Sequence, residues 1–244
     1  MDSNELCMEQ RMERRDFLKL GLMASVGLLT SASDLFWQTQ KAQAAELAAQ
    51  PSPTLDADAA LEKLMAGNQR FVQHTPQYPH QSPSRLKEVA QAQYPFATVL
   101  SCADSRVPVE ILFDQGVGDI FDIRIAGNIA TPETIGSIEY AVALLGTPVL
   151  MVLGHERCGA VTAAVKNEAL PGDINRFVEA ILPAVNQVKG QPGDAVDNAV
   201  IANVHYQIQQ LQRSPLIAQR LQSGQLKILG ARYDLDTGRV KILT

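Results

Sequence analysis

Two apolar runs dominate the hydrophobic pattern of this chain. Phe96-Ala97-Thr98-Val99-Leu100-Ser101 leads into Cys102-Ala103-Asp104-Ser105-Arg106. Pro148-Val149-Leu150-Met151-Val152-Leu153 leads into Gly154-His155-Glu156-Arg157-Cys158-Gly159. Runs that are apolar at nearly every position read as short strands buried on both faces, the pattern of a parallel sheet. Between them, Asp119 to Ile125 alternates apolar and charged residues, so it predicts a strand with one covered face, ended by a turn at Ala126-Gly127-Asn128. Helical spacing of Ile135, Ile138, Val142 and Leu145 predicts a helix over 134–145, stopped by Gly146. Further helices are predicted over 174–188, with Pro183 inside, around Val200 to Leu211, and over 215–221. Leu226 to Tyr233 reads as a strand that Asp236-Thr237-Gly238 turns into Val240 to Leu243, a hairpin. Upstream, Leu61, Leu64, Met65, Phe71 and Val72 mark a helix capped by Asp56 or Asp58, followed by a proline-rich loop over 74–84.

Strands separated by helical segments predict an α/β fold: a central, mostly parallel β-sheet flanked by helices. The apolar stripe of the amino-terminal helix needs cover, and packing on a partner subunit would supply it. The chain has 244 residues, 46% of them hydrophobic, enough for one domain with a sizeable core. Its formal net charge is -5, and no basic block stands outside the amino terminus, which argues against nucleic acid as a partner.

The amino terminus reads as a targeting segment. Arg14-Arg15-Asp16-Phe17-Leu18-Lys19 is a twin-arginine pattern, Leu20 to Leu29 is apolar, and Ala42-Gln43-Ala44 offers a cleavage site. The apolar segment is shorter than the roughly 20 residues a membrane span needs. The expected organisation is a signal peptide over 1–44, a linker over 45–55 and a catalytic domain over 56–244, with no stable span in the mature chain. Export by the twin-arginine machinery would deliver it to a periplasm or, alternatively, a thylakoid lumen. Cys7 leaves with the signal, so only Cys102 and Cys158 remain.

The chemistry lies where the two buried strands stop, since ligands of open α/β sheets bind at the carboxyl ends of strands. Cys102, His155 and Cys158 offer two thiolates and one imidazole, a donor set that suits catalytic zinc with a fourth position left open. A metal so held lowers the pKa of water toward neutrality. Asp104 could fill the fourth position or accept a hydrogen bond beside it, and a bidentate pair with Arg106 would hold it off the metal.

These motifs resemble those of the β-class carbonic anhydrases. Cys102-Ala103-Asp104-Ser105-Arg106 resembles that family's Cys-x-Asp-x-Arg signature, and His155-Glu156-Arg157-Cys158-Gly159 its His-x-x-Cys-Gly signature. The likeness runs from about Leu61 to Leu243. It implies Zn2+ on Cys102, His155 and Cys158, with Asp104 either the catalytic carboxylate or a fourth, inhibitory ligand, and Arg106 as its clamp. It implies reversible hydration of carbon dioxide to bicarbonate and a proton in a homodimer or larger homo-oligomer. Gln93, nine residues before Cys102, matches a glutamine that orients substrate. Phe121 and Tyr140 match an apolar wall of the carbon dioxide pocket, part of which comes from a neighbouring subunit. The Gly159 N–H is a candidate substrate contact. Two other expectations remain open at this level: hydrolysis of carbon disulfide or carbonyl sulfide on the same fold, and a non-catalytic site closed by Asp104.

Overall fold

The computed structural model describes residues 55–167 and 170–243. The expected signal peptide and the linker through residue 54 lie outside the described residues. Five strands form one sheet in the order β2-β1-β3-β4-β5. They are β1 (Ala97–Ser101), β2 (Ile120–Arg124), β3 (Val149–His155), β4 (Lys227–Tyr233) and β5 (Val240–Leu243). The first four run parallel, and β5 closes the hairpin antiparallel to β4. The two doubly apolar runs are the central strands β1 and β3, buried at every position.

β3 extends two residues past its apolar run, because Gly154 and His155 continue the ladder against Arg232 and Tyr233 of β4. Gly154 is needed there: a Cβ would lie 2.7 Å from Val204 Cγ2. The register sets Ser101, the end of β1, beside Leu153, two residues before the end of β3.

Helices cover both faces. On one face lie α1 (Ala57–Val72) and the short α3 (Val109–Leu112), while α2 (Pro83–Val89) has no buried residue and is tied by Arg85 Nε to the Val117 carbonyl. Asp56, rather than Asp58, caps α1 by accepting the Ala59 N–H at 2.8 Å. Ala60 and Leu64 are fully buried in the core of their own chain, and Leu61, Met65 and Phe71 pack on that core while remaining partly open. Of the stripe on α1 only Leu64 is buried by its own chain, and Leu61, Met65, Phe71 and Val72 keep part of their surface open.

The other face carries α4 (Pro132–Ala143), α7 (Ala195–Leu211) and α8 (Pro215–Gln222), whose apolar residues enclose Leu100, Leu150 and Val152. α4 starts two residues earlier than its periodicity suggests, because Thr131 and Thr134 form a capping box around Pro132. A third apolar cluster lies past the carboxyl ends of β1 and β3, where α5 (Gly159–Lys166) and α6 (Asn175–Val188) pack with Cys102 and Cys158. No helix among the described residues is long and apolar enough to cross a membrane.

The loop between α1 and α2 holds His74, Tyr78 and His80 at φ 57, 50 and 54°, a region that non-glycine residues seldom adopt. Two buried carboxylates pin it. Asp114 accepts from Arg70 Nε at 2.6 Å and from the N–H groups of Gln77 and Tyr78 at 2.9 and 3.0 Å. Asp119 lies 2.7 Å from His80 Nδ1 and accepts the Gly116 N–H at 2.8 Å.

Candidate metal centre

Cys102 is the first residue past β1, His155 is the last of β3, and Cys158 caps α5. Neighbouring parallel strands that stop within two residues of each other deliver these three side chains to one point. Their donor atoms all lie within 4.8 Å of one another, and all three residues are buried. The two sulfurs are 3.9 Å apart, and both cysteines are free. Two thiolates on one tetrahedral zinc, each about 2.3 Å from it, stand about 3.8 Å apart, so the spacing matches a shared ion.

The imidazole is oriented to match. His155 Nδ1 lies 2.8 Å from the Glu156 carbonyl oxygen, which fixes the proton on Nδ1. Nε2 is buried and has no hydrogen-bond partner among the described residues. A dry lone pair beside two sulfurs is what a nitrogen–sulfur metal site requires, and zinc fits these residues.

The sulfurs share one negative charge. Cys102 is drawn well below the ordinary thiol range, first by the hydrogen bond from the Cys158 thiol and, against burial, by the nearby His155 imidazole and by the Gly127 and Asp104 N–H groups. Cys158 is pushed up, because it holds the shared proton beside the Cys102 thiolate and is itself buried.

Asp104 stands outside the donor group. Arg106 grips it in a fork, Nε to Oδ1 at 2.9 Å and Nη2 to Oδ2 at 2.7 Å, and the Arg106 backbone N–H adds a third bond to Oδ1 at 2.9 Å. That grip, chiefly the guanidinium hydrogen bond, lowers the Asp104 carboxyl to about 2. Here Asp104 takes the paired arrangement: both of its oxygens are engaged by Arg106, and Oδ2 lies 3.8 Å from His155 Nε2.

The family model for carbonic anhydrase matches residues 97–240, which include the whole donor set. Carbonic anhydrase 2 of Mycobacterium tuberculosis is 42% identical over 192 residues, covering 77% of this chain and 93% of that protein. The carbonic anhydrase of Mycolicibacterium smegmatis is 41% identical over 195 residues, covering 78% and 95%. Among solved structures, a tetrameric β-carbonic anhydrase of Sordaria macrospora superposes with a TM-score of 0.63 at 25% identity, covering 75% of this chain and 96% of that one. The chain belongs to the β-carbonic anhydrase family.

In this β-carbonic anhydrase Gly159 opens α5 beside Cys158, where a first-turn N–H has no partner within the helix. A Cβ at Gly159 would meet nothing within 4 Å, so the position faces open space. The expected pocket wall lies elsewhere in the chain. Phe121 and Tyr140 pair with ring centroids 6.1 Å apart. Phe121 is in register with Thr98, four strand residues before Cys102, a separation of about 13 Å along the sheet. Gln93 is exposed in the loop before β1, at the opposite end of that strand. One β-carbonic anhydrase chain therefore holds the metal donors and these three residues in separate places.

Two residues that sequence reading passed over support the donors. Arg124, the last residue of β2, donates from Nη2 to the Asp104 carbonyl at 2.6 Å and from Nε to the Cys102 carbonyl at 3.3 Å. Its only signal was its place at the end of an alternating strand. Glu156 accepts from Arg232 Nη2 at 2.7 Å and from the Leu235 N–H at 3.0 Å, which anchors the turn between His155 and Cys158 to β4.

Proposed function

We infer that this chain hydrates carbon dioxide reversibly to bicarbonate and a proton, as a homo-oligomer in which Gln93, Phe121 and Tyr140 of one subunit face the metal centre of another. The observation that carries the reading is the donor set itself: two cysteine sulfurs and a bare imidazole nitrogen converge while Arg106 holds the adjacent carboxylate aside. Zinc, when bound, supplies a Lewis acid that polarises water and lowers its pKa toward neutrality.

The chain's own groups do the rest. Asp104 stays ionised throughout the working range and accepts the proton-bearing side of the attacking water. Arg106 fixes that carboxylate in one orientation. The Gly159 N–H donates to an oxygen of bicarbonate. Carbon dioxide has no donor of its own, so Phe121 and Tyr140 offer it an apolar wall and Gln93 a single orienting amide.

Assembly is supported by the surface. Tyr78, Leu86, Ile111 and Val117 are exposed apolar residues lining one groove of about 860 Å³. An apolar patch of this kind marks an interaction surface. The Sordaria relative is described as tetrameric. The twin-arginine pattern at Arg14-Arg15 supports export, to a periplasm or alternatively a thylakoid lumen. A reporter fused to residues 1–50 should lose export with Arg14→Lys plus Arg15→Lys.

Co-expression of two inactive variants tests the shared site. Subunits with Arg106→Ala spoil the metal side, and subunits with Phe121→Ala plus Tyr140→Ala spoil the wall. In a mixed dimer one composite site is intact, so activity returns. No recovery in isolated mixed dimers would place both halves of a site in one chain.

A further inference from the structure

We propose that Asn203 and Gln207, on α7, are positioning residues for the metal centre: they hold the 126–130 turn so that the Gly127 N–H points at the Cys102 sulfur. The inference rests on the zinc reading above, but not on the identity of the substrate.

The Gly127 N–H donates to Cys102 Sγ at 3.3 Å. Its direction depends on an unusual backbone: Gly127 and Asn128 both have positive φ, 73 and 44°. Gly127 takes this conformation freely, but a non-glycine residue such as Asn128 keeps it only when the surroundings impose it. The Asn128 side chain does not: its Nδ2 is buried without a hydrogen-bond partner. The restraint comes from α7. Asn203 and Gln207 are one helical turn apart, and each is 1% exposed. Asn203 Nδ2 donates to the Gly127 carbonyl at 2.9 Å, and Gln207 Oε1 accepts the Ala130 N–H at 2.9 Å. Gln207 Nε2 donates to Asn203 Oδ1 at 2.8 Å and locks both amides in one orientation. From below, a Cβ at Gly127 would lie 2.5 Å from Ile181 Cδ1, so only glycine lets the turn sit this close to α6.

Two buried amides thus tie both ends of a turn whose Gly127 N–H ends on a metal-binding sulfur. Hydrogen bonds to a ligand stabilise its charged form and tune what it donates to the metal, and losing such support typically costs about 10- to 100-fold in metal affinity.

The test uses the full chain and reads metal rather than turnover. Asn203→Asp keeps the volume, removes the donor to Gly127 and sets a carboxylate against its carbonyl. Gln207→Glu is milder: it keeps the acceptor for Ala130 and loses the lock on Asn203. Thr98→Val is the control, since it breaks the buried 2.7 Å Thr98–Thr147 hydroxyl bond toward the other end of β1. Zinc affinity is measured by competition with a chromophoric chelator, and the sulfur-to-metal charge-transfer band is read after cobalt(II) substitution. Asn203→Asp should weaken zinc at least about tenfold and move the band to lower energy, because a thiolate without its N–H gives up charge more readily. Gln207→Glu should move both in the same direction and by less, and Thr98→Val should move neither. Unchanged affinity and band in Asn203→Asp and Gln207→Glu overturn the proposal, and so does an equal shift in Thr98→Val. If Asn203→Asp does not fold, Gln207→Glu against the control decides alone. A wild-type chain that took up neither metal would instead remove the zinc reading itself, and this inference with it.

Discussion

The carboxyl end of the sheet and the surface around β2 and α3 are finished to different degrees. At the carboxyl end a single chain assembles three donors, orients the imidazole and clamps the neighbouring carboxylate. Around β2 and α3 the chain leaves Ile111, Val117 and Tyr78 exposed, and Tyr140 is only partly covered. The difference separates two properties that activity alone would merge. Holding the metal is local to one chain, and in the function proposed above completing the substrate pocket calls for another.

The strongest way to break that comparison is at the metal. His155→Ala removes the nitrogen donor, so zinc content by elemental analysis should fall to near none and hydration to the solvent background, with assembly size unchanged. Arg106→Ala comes next. Freed from its fork, Asp104, whose Oδ2 already lies 3.8 Å from His155 Nε2, should turn onto the metal, and kcat should fall about 100-fold or more with zinc retained. Loss of zinc in that variant would contradict the clamp.

A smaller effect is expected at the unfinished surface. Ile111→Arg puts a charge in the apolar groove, and sedimentation should then report smaller species with full zinc and hydration reduced by about tenfold. Full activity in the dissociated protein would make one chain sufficient.

The smallest effect contrasts two aspartates. Asp104 is held near 2, so its contribution to stability is present above about pH 4 and is lost as the pH falls through 2. Asp122 moves the other way, to about 7, first because it is buried and then because Glu110 is close by. The folded chain keeps that proton to about pH 7, while the unfolded chain releases it near pH 4, so stability falls as pH rises across this window. Asp122→Asn should raise Tm by a few degrees at pH 8 and leave it unchanged at pH 4 in a thermal melt. No difference between the two pH values would show that Asp122 ionises normally.

The sheet and its donors were legible because their signals are local. An apolar run ending in a donor states both a buried strand and what lies at its tip, as at Leu100 to Cys102 and Leu153 to Cys158. The start of α4 was harder to read, since Thr131 and Thr134 cap each other without the acidic residue that usually advertises such a box. Arg124 needed the register of β2 against β1, a pairing between residues 23 apart in sequence at Ser101 and Arg124. Asn203 and Gln207 look like ordinary polar positions of a periodic helix until the 126–130 turn is folded against them. Whether Asp104 meets Arg106 or the metal is a choice of side-chain orientation, and spacing alone leaves both available.

The pinned loop between α1 and α2 has one more consequence. His74, Tyr78 and His80 would relax out of their left-handed backbone in a free peptide, yet Asp114 and Asp119 keep the bend in place. Tyr78 therefore stands at the rim of the groove with its ordering entropy already spent during folding. A surface that seats there meets a rigid ledge rather than a floppy strap, and so loses less freedom on docking.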